Sequence, residues 1–337
     1  MKIRSILFTI LLLTVLEAQA QQKPQYTQYI FNNFLLNPAL SGMENYTDLK
    51  VGHRQQWQGI KGAPTTTFIS ANMVLGDTYL WRNALSLPEN GDPPMGRNYT
   101  QNYTASPAHH GIGFIGVNDK AGPLSYLDLA LTYAYHLKLH NALNLSLGTA
   151  VGFSRTSIDV NELILDNPND PALSNAGKAR IKPDLSFGLW LYGARFFAGA
   201  SVQQILQQEI SFATDGSQRQ GREIGHYFLT TGYKLFIDDE ISATPSVMFK
   251  KVGSIPLTYD LNLKVSFRER FWVGGNYRKK DSFAALVGIN FNNVVNLTYA
   301  YDYTTSQLRA HTSGSHELVL GFQLNNMYKL RNNQKMW

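Results

Sequence analysis

Residues Leu127 to Phe153 alternate between a greasy face and a small or polar one over an unusually long stretch. Leu127, Leu129, Leu131, Tyr133, Tyr135, Leu137 and Leu139 share one face, with Asp128, Ala130, Thr132, Ala134, His136 and Lys138 between them. After a break at His140–Asn141–Ala142, the large set continues as Leu143, Leu145, Leu147, Thr149, Val151 and Phe153. Asn144, Ser146, Gly148, Ala150, Gly152 and Ser154 now form the other face. Period two means strand, because successive side chains of a pleated chain point to opposite sides. Two runs joined by so short a break form an antiparallel hairpin. Soluble strands average about 5–6 residues, whereas a tilted strand needs roughly 9–11 to cross a bilayer. An apolar outer face and a small, polar inner face are what a transmembrane barrel requires.

The start of the chain supports export. Lys2 and Arg4 supply a basic start, Ile6 to Leu16 a short apolar core, and Ala18–Gln19–Ala20 a small-x-small cleavage pattern. Residues 1–20 therefore read as a cleaved signal peptide, with Gln21 as the mature N-terminus. The apolar run is too short for a transmembrane helix, and no later window reaches about 18 apolar residues. The absence of Cys removes a disulfide framework, a thiol nucleophile and a Cys-based zinc site. The formal charge of +6 is scattered rather than striped, which argues against nucleic acid and suits acidic partners or outer-membrane lipid headgroups.

Residues 21–45 do not alternate and read as an N-terminal periplasmic segment, with a short helix or plug around Ile30–Leu36. From Tyr46 to residue 325 the pattern predicts about 14 strands. They lie near 46–56, 65–75, 111–118, 125–139, 142–154, 184–193, 196–205, 226–237, 240–250, 257–267, 270–279, 282–291, 294–303 and 315–325. Very short joints follow the even strands from the fourth to the twelfth, and longer ones generally follow the odd strands, the asymmetry of outer-membrane barrels. An even count puts both termini on the short-turn, periplasmic side, with a tail at 326–337. Two joints depart from this rule: the short Lys280–Asp281, and a long Pro/Gly/Asn-rich insertion at 76–110. Phe267, Phe271 and Trp272, and Tyr299, Tyr301 and Tyr303, read as interfacial girdles; a soluble β-sandwich with core aromatics is the alternative. The expected fold is all-β, an antiparallel transmembrane outer-membrane β-barrel.

Catalytic motifs are scarce. There is no G-x-S-x-G elbow and no H-E-x-x-H helix. His109 and His110 are adjacent and so point oppositely in a strand. Ser313, His316 and Glu317 are close in sequence, which does not make a triad. Asp166 to Ala172 holds carboxylates and amides without EF-hand spacing and reads as a plain loop. No enzyme activity, cofactor or metal is expected. Asp128, Lys138, Asp260, Lys264, Arg278 and Asp302 fall on the lumen face, as a salt-bridged interior or a selective channel.

Six collinear blocks carry a resemblance. They are Asn32–Met43 (NNFLLNPALSGM), His53–Ser70 (HRQQWQGIKGAPTTTFIS), Gly116–His136, His226–Leu235, Asp260–Ser282 and Tyr299–Phe322. Together they resemble the PorP/SprF family of type IX secretion system membrane proteins. That resemblance implies a non-enzymatic outer-membrane barrel tied to protein secretion and gliding motility. It would support export or surface attachment of proteins with a C-terminal secretion domain, often large adhesins, and contact components of the periplasmic secretion ring. The family offers no catalytic residues to carry over. The positions matching its signature are Asn37, Pro38 and Gly42; Arg54, Gln55 and Trp57; Asn118, Asp119, Gly122 and Pro123; Asp260 and Asn262; Asp302; and Ser313, Gly314, His316 and Glu317. Arg54 and Trp57 sit where the first strand meets its loop and read either as partner-binding or as anchors of that loop by cation–π or hydrogen bonding. Gly122–Pro123 suits a tight loop, and Phe322 is the candidate terminal aromatic for assembly. The competing function is a solute channel of the porin or fatty-acid transporter type.

Overall fold

Alternation becomes strand wherever one face meets lipid. The computed structural model describes Thr27, Tyr29 and residues 31–76, 103–163, 179–206, 209–210, 221–222, 224–238, 240–268 and 270–326. The signal peptide, Asp166–Ala172, most of the 76–110 insertion and the tail beyond 326 lie outside the described residues.

The barrel strands are β1 (Thr47–Gln55), β2 (Thr65–Leu75), β3 (His109–Ala121), β4 (Leu124–His140), β5 (Leu143–Ile158), β6 (Arg180–Gly193) and β7 (Phe196–Gln203). The second half comprises β8 (His226–Tyr233), β9 (Ile241–Val252), β10 (Thr258–Phe267), β11 (Phe271–Arg278), β12 (Ser282–Asn290), β13 (Val295–Thr304) and β14 (Ser315–Leu324). Each pairs antiparallel with the next, and β14 returns to β1 from Thr47↔Leu324 to Gln55↔His316. The sheet is therefore a closed up-and-down barrel with no free edge.

Each strand falls within a few residues of its sequence expectation. The extensions are at the long-loop ends of β3, β5 and β6, which reach Ala121, Ile158 and Arg180; β3 and β4 stay paired to Ala121↔Leu124 and close through Gly122–Pro123 alone. Gly122 there has φ +55°, a region that costs glycine nothing. The joint after β3 is thus a tight turn, and the tall hairpin stands beyond the length a bilayer requires. Long joints after β1, β5, β7 and β13 define one end, the long-loop end; outer-membrane barrels turn this end to the outside.

The outward positions carry exposed Leu131, Val151, Leu189, Leu229, Leu263 and Leu318, spread around the wall. Inward positions are small or polar, as in β5, where Asn144 and Ser146 are fully buried. Phe267 and Phe271 face outward as girdle residues, but Trp272 turns into the lumen and stacks on Phe31 at 6.3 Å. Lys138 is exposed beside a register shift at the end of β4, while Asp128, Asp260, Lys264, Arg278 and Asp302 are buried inside.

Candidate functional site

The lumen is filled by the chain's own N-terminal segment. Two 3-10 turns, Asn33–Leu35 and Pro38–Leu40, bring Phe34, Leu35, Leu36, Leu40 and Met43 into a buried core. Trp190, Tyr192 and Phe197 close around this core from β6 and β7, and Tyr103, from the end of the long insertion, joins them. The sequence explains the local geometry. Asn37 caps the second turn, its Oδ1 accepting from Ala39 N at 3.0 Å, and Pro38 follows at the first position, where a missing N–H costs nothing.

The wall is cut to receive these turns. A Cβ on Gly148 would lie 2.3 Å from Ala39 N, and one on Gly188 would lie 1.9 Å from Asn37 Oδ1. Glycine lets the wall meet the plug's backbone at Gly148 and the side chains of Asn37 and Pro38 at Gly188. Polar side chains then take up the turns' orphan carbonyls. Ser146 Oγ donates to Ala39 O at 2.6 Å, Ser201 Oγ to Leu36 O at 2.7 Å and Gln203 Nε2 to Leu35 O at 2.9 Å. Asn37 Nδ2 donates to Leu189 O and Ala200 O of the wall itself. His109 and His136, stacked 4.3 Å apart, place Nε2 on Gly42 O and Ser41 O respectively.

The other end of the plug is held by charge. Arg54 of β1 reaches Asp302 of β13 at 2.7 Å and Glu317 of β14 at 2.8 Å, all three nearly inaccessible to water. Thr27 completes this clasp: its N–H donates to Glu317 Oε2 at 2.9 Å, its hydroxyl donates to Asp302, and it accepts from Arg54. Arg54, Asp302 and Glu317 each lie within two residues of the long-loop end of their strands. The plug therefore runs from that end at Thr27 down to Tyr46 at the short-turn end. Strand parity speaks only for Tyr46 onward; the segment before it passes back through the barrel.

Above the two turns of the plug, toward the long-loop end, lies a cavity of about 170 Å³. Phe34, Leu36, Phe228 and Met248 contribute apolar lining; Lys250, Asp260 and Arg278 supply charge. Arg278 Nε donates to Asp260 at 3.1 Å and Nη1 to Asp281 at 3.3 Å.

The signature positions divide into three groups. Asn37, Pro38, Gly42, Arg54, Asn262, Asp302 and Glu317 meet at the plug, and Asp260 lines the cavity above its two turns. Asn262 donates to the buried Tyr29 hydroxyl and accepts from Asn276 Nδ2 at 2.7 Å. Trp57, Gly122, Pro123, Ser313 and Gly314 instead tie neighbouring loops together. Ser313 N donates to Gln58 O and Gln58 N to Gly314 O, both at 2.8 Å; Trp57 N donates to Ser315 Oγ at 3.1 Å; Gly122 N donates to Gly62 O at 2.8 Å. Pro123 O accepts from Asp159 N at 2.8 Å. Gln55, Asn118, Asp119 and His316 form no common cluster: Gln55 and Asn118 are exposed, Asp119 accepts from Thr66, and His316 meets Tyr299. His316 lies on the outer face and Glu317 in the lumen, so Ser313, His316 and Glu317 do not converge. Arg54 holds the plug rather than its own loop.

His109 and His136 were not among the signature positions. Their signal was present in the alternation, since His136 sits on the small inward face of β4 and pairs in register with His109. Among the described residues no group of His, Asp or Glu has metal-holding geometry.

Comparison with solved structures finds the same barrel architecture at low identity. The toluene transporter TbuX of Ralstonia pickettii superposes with a TM-score of 0.50 at 10% identity, over 87% of this chain and 93% of that one. The toluene transporter TodX of P. putida gives 0.48 at 10% identity, over 90% and 94%. TbuX shows the fold alone, that of an outer-membrane barrel. No curated protein matches the sequence. The family model described as "Type IX secretion system membrane protein PorP/SprF" matches residues 18–322, nearly the whole barrel with its plug. The chain belongs to the PorP/SprF family of type IX secretion system membrane proteins.

Proposed function

We propose that this outer-membrane barrel acts without catalysis, as a docking component that supports export or surface attachment of proteins bearing a C-terminal secretion domain, gliding adhesins among them. It contacts the periplasmic secretion ring from its short-turn end. The observation that carries this reading is the filled lumen. A barrel occupied by its own polypeptide works through its two ends, and the family belongs to a secretion machine. The tied loops around Trp57, Gly122 and Gly314 give the long-loop end a rigid platform for an exported domain.

The test is a gene deletion in a strain lacking paralogues. Surface display of at least one protein with a C-terminal secretion domain should fall to background and return on complementation. Unchanged display and unchanged motility would defeat the proposal.

A solute channel is the second reading, favoured by the cavity above the two turns of the plug. It requires the plug to move, which planar-bilayer recording detects.

A further inference from the structure

At the long-loop end, cations stand over a row of aromatic rings on the outer wall. Tyr259, Tyr277, Phe283 and Tyr303 face outward from four adjacent strands, β10 to β13. Tyr259 and Tyr277 are 6.4 Å apart and Tyr277 and Phe283 4.8 Å; Phe283 pairs in register with Tyr303. Lys279 Nζ lies 5.1 Å from the Tyr259 ring centroid, and the Arg309 guanidinium 5.1 Å from that of Tyr303. Lys280 is exposed between them in sequence, in the turn that joins β11 to β12.

The charge balance here is one-sided. Nearby Asp260 and Asp302 turn into the lumen, and Asp281 is held by Arg278. Two other surface cations are neutralised by acids beside them: Lys120 pairs with Glu162 at 3.0 Å, and Arg268 with Glu240. Among the described residues, Lys279, Lys280 and Arg309 form no ion pair. Aromatic rings mark the level where acyl chains give way to headgroups. Cations just above that level, on the end turned outward, meet the phosphates of the outer leaflet.

We propose that this surface seats a phosphorylated glycolipid of the outer leaflet. The rings lie against the sugar–acyl boundary, and Lys279, Lys280 and Arg309 hold the phosphates. Tyr259 and Tyr303 are three strand spacings apart, roughly 14 Å, an interval that a disaccharide headgroup carrying a phosphate at each end can bridge. The proposal rests on the outer-membrane placement and is independent of any role in secretion.

Native mass spectrometry of the full-length barrel, released gently from detergent, provides the test. The probes are bisphosphorylated lipid A, the same lipid without phosphates, and inorganic phosphate. The intact protein should retain bisphosphorylated lipid A. The Lys279→Gln/Lys280→Gln double variant should bind roughly thirtyfold more weakly and dephosphorylated lipid, which loses the contribution of all three cations, roughly a hundredfold more weakly, since each cation near a charged surface contributes about a factor of five. Arg309→Gln should weaken binding severalfold, Lys279→Arg/Lys280→Arg should restore it, and millimolar phosphate should not compete. The band shift on heating in gels checks that each variant is folded. Equal retention of both lipids, or unchanged binding by the folded double Gln variant, would overturn the proposal, and competition by inorganic phosphate would reduce the site to a simple anion site.

Discussion

Replacing Arg54 with Met is expected to destabilise the barrel more than any other single polar substitution in the lumen. It removes the cation that bridges Asp302 and Glu317 and leaves both carboxylates buried against each other. Breaking a buried ion pair from one side costs about 3–5 kcal/mol, because the remaining charge has neither water nor partner. Here two carboxylates are left, and Thr27, which shares the same oxygens, loses its seat. In urea titrations followed by the heat-dependent gel shift, the midpoint should fall. Limited proteolysis in detergent should reach the segment around Thr27. Adding Asp302→Asn and Glu317→Gln to Arg54→Met should recover much of the loss, since the triple variant buries no net charge. A single Arg54→Met variant with wild-type stability would mean that the clasp does not hold the plug.

Removal of residues 27–45 should turn a silent barrel into a conducting one. A barrel of eight strands is filled by its side chains, whereas one of about 16–18 encloses an aqueous channel. Fourteen strands lie between these limits, so an occupant decides whether the lumen conducts. That occupant is well seated. Tyr29, Phe34, Leu35, Leu36, Leu40 and Met43 are all buried. At about 1.5–3 kcal/mol for each large apolar side chain, their burial amounts to on the order of 10 kcal/mol. In planar bilayers the intact protein should show no steps above leak, and the deletion should show discrete open levels. Gly148→Phe provides a second route if the deletion does not assemble, because its ring would enter the space of Ala39 and lift the turn. The chain has no Cys, so a Ser41→Cys/Thr132→Cys pair, whose hydroxyls lie 2.7 Å apart, can lock the plug and silence any opening. A wild-type barrel that conducts as freely as the deletion would favour the channel reading.

The barrel was legible in the sequence because lipid leaves no freedom on the outer face. Leu127 to Leu139 and Leu143 to Phe153 had to alternate, and so did the later strands. The pattern faded where lipid ends. Asn118, Asp119 and Lys120 continue β3 with polar residues on both faces, so the strand and its tight turn at Gly122 read as a loop. Trp272 was misread for a related reason. Its proximity to Phe267 and Phe271 suggested a girdle, but inward parity and the Phe31 ring draw it into the lumen. The clasp was half legible: Arg54, Asp302 and Glu317 all belonged to the signature, yet nothing in one sequence joins residues 248 and 263 positions apart. The packing of the plug was not legible, since 21–45 has no period and its partners are distributed around the whole barrel.

The most direct measurement is a gentle-detergent pull-down of the tagged, full-length protein from outer membranes, read by mass spectrometry. A docking component should bring down periplasmic ring components or a large protein with a C-terminal secretion domain, in amounts comparable to the barrel. Recovery of the folded, plugged barrel alone, in good yield and under conditions that keep the ring intact, would contradict that role.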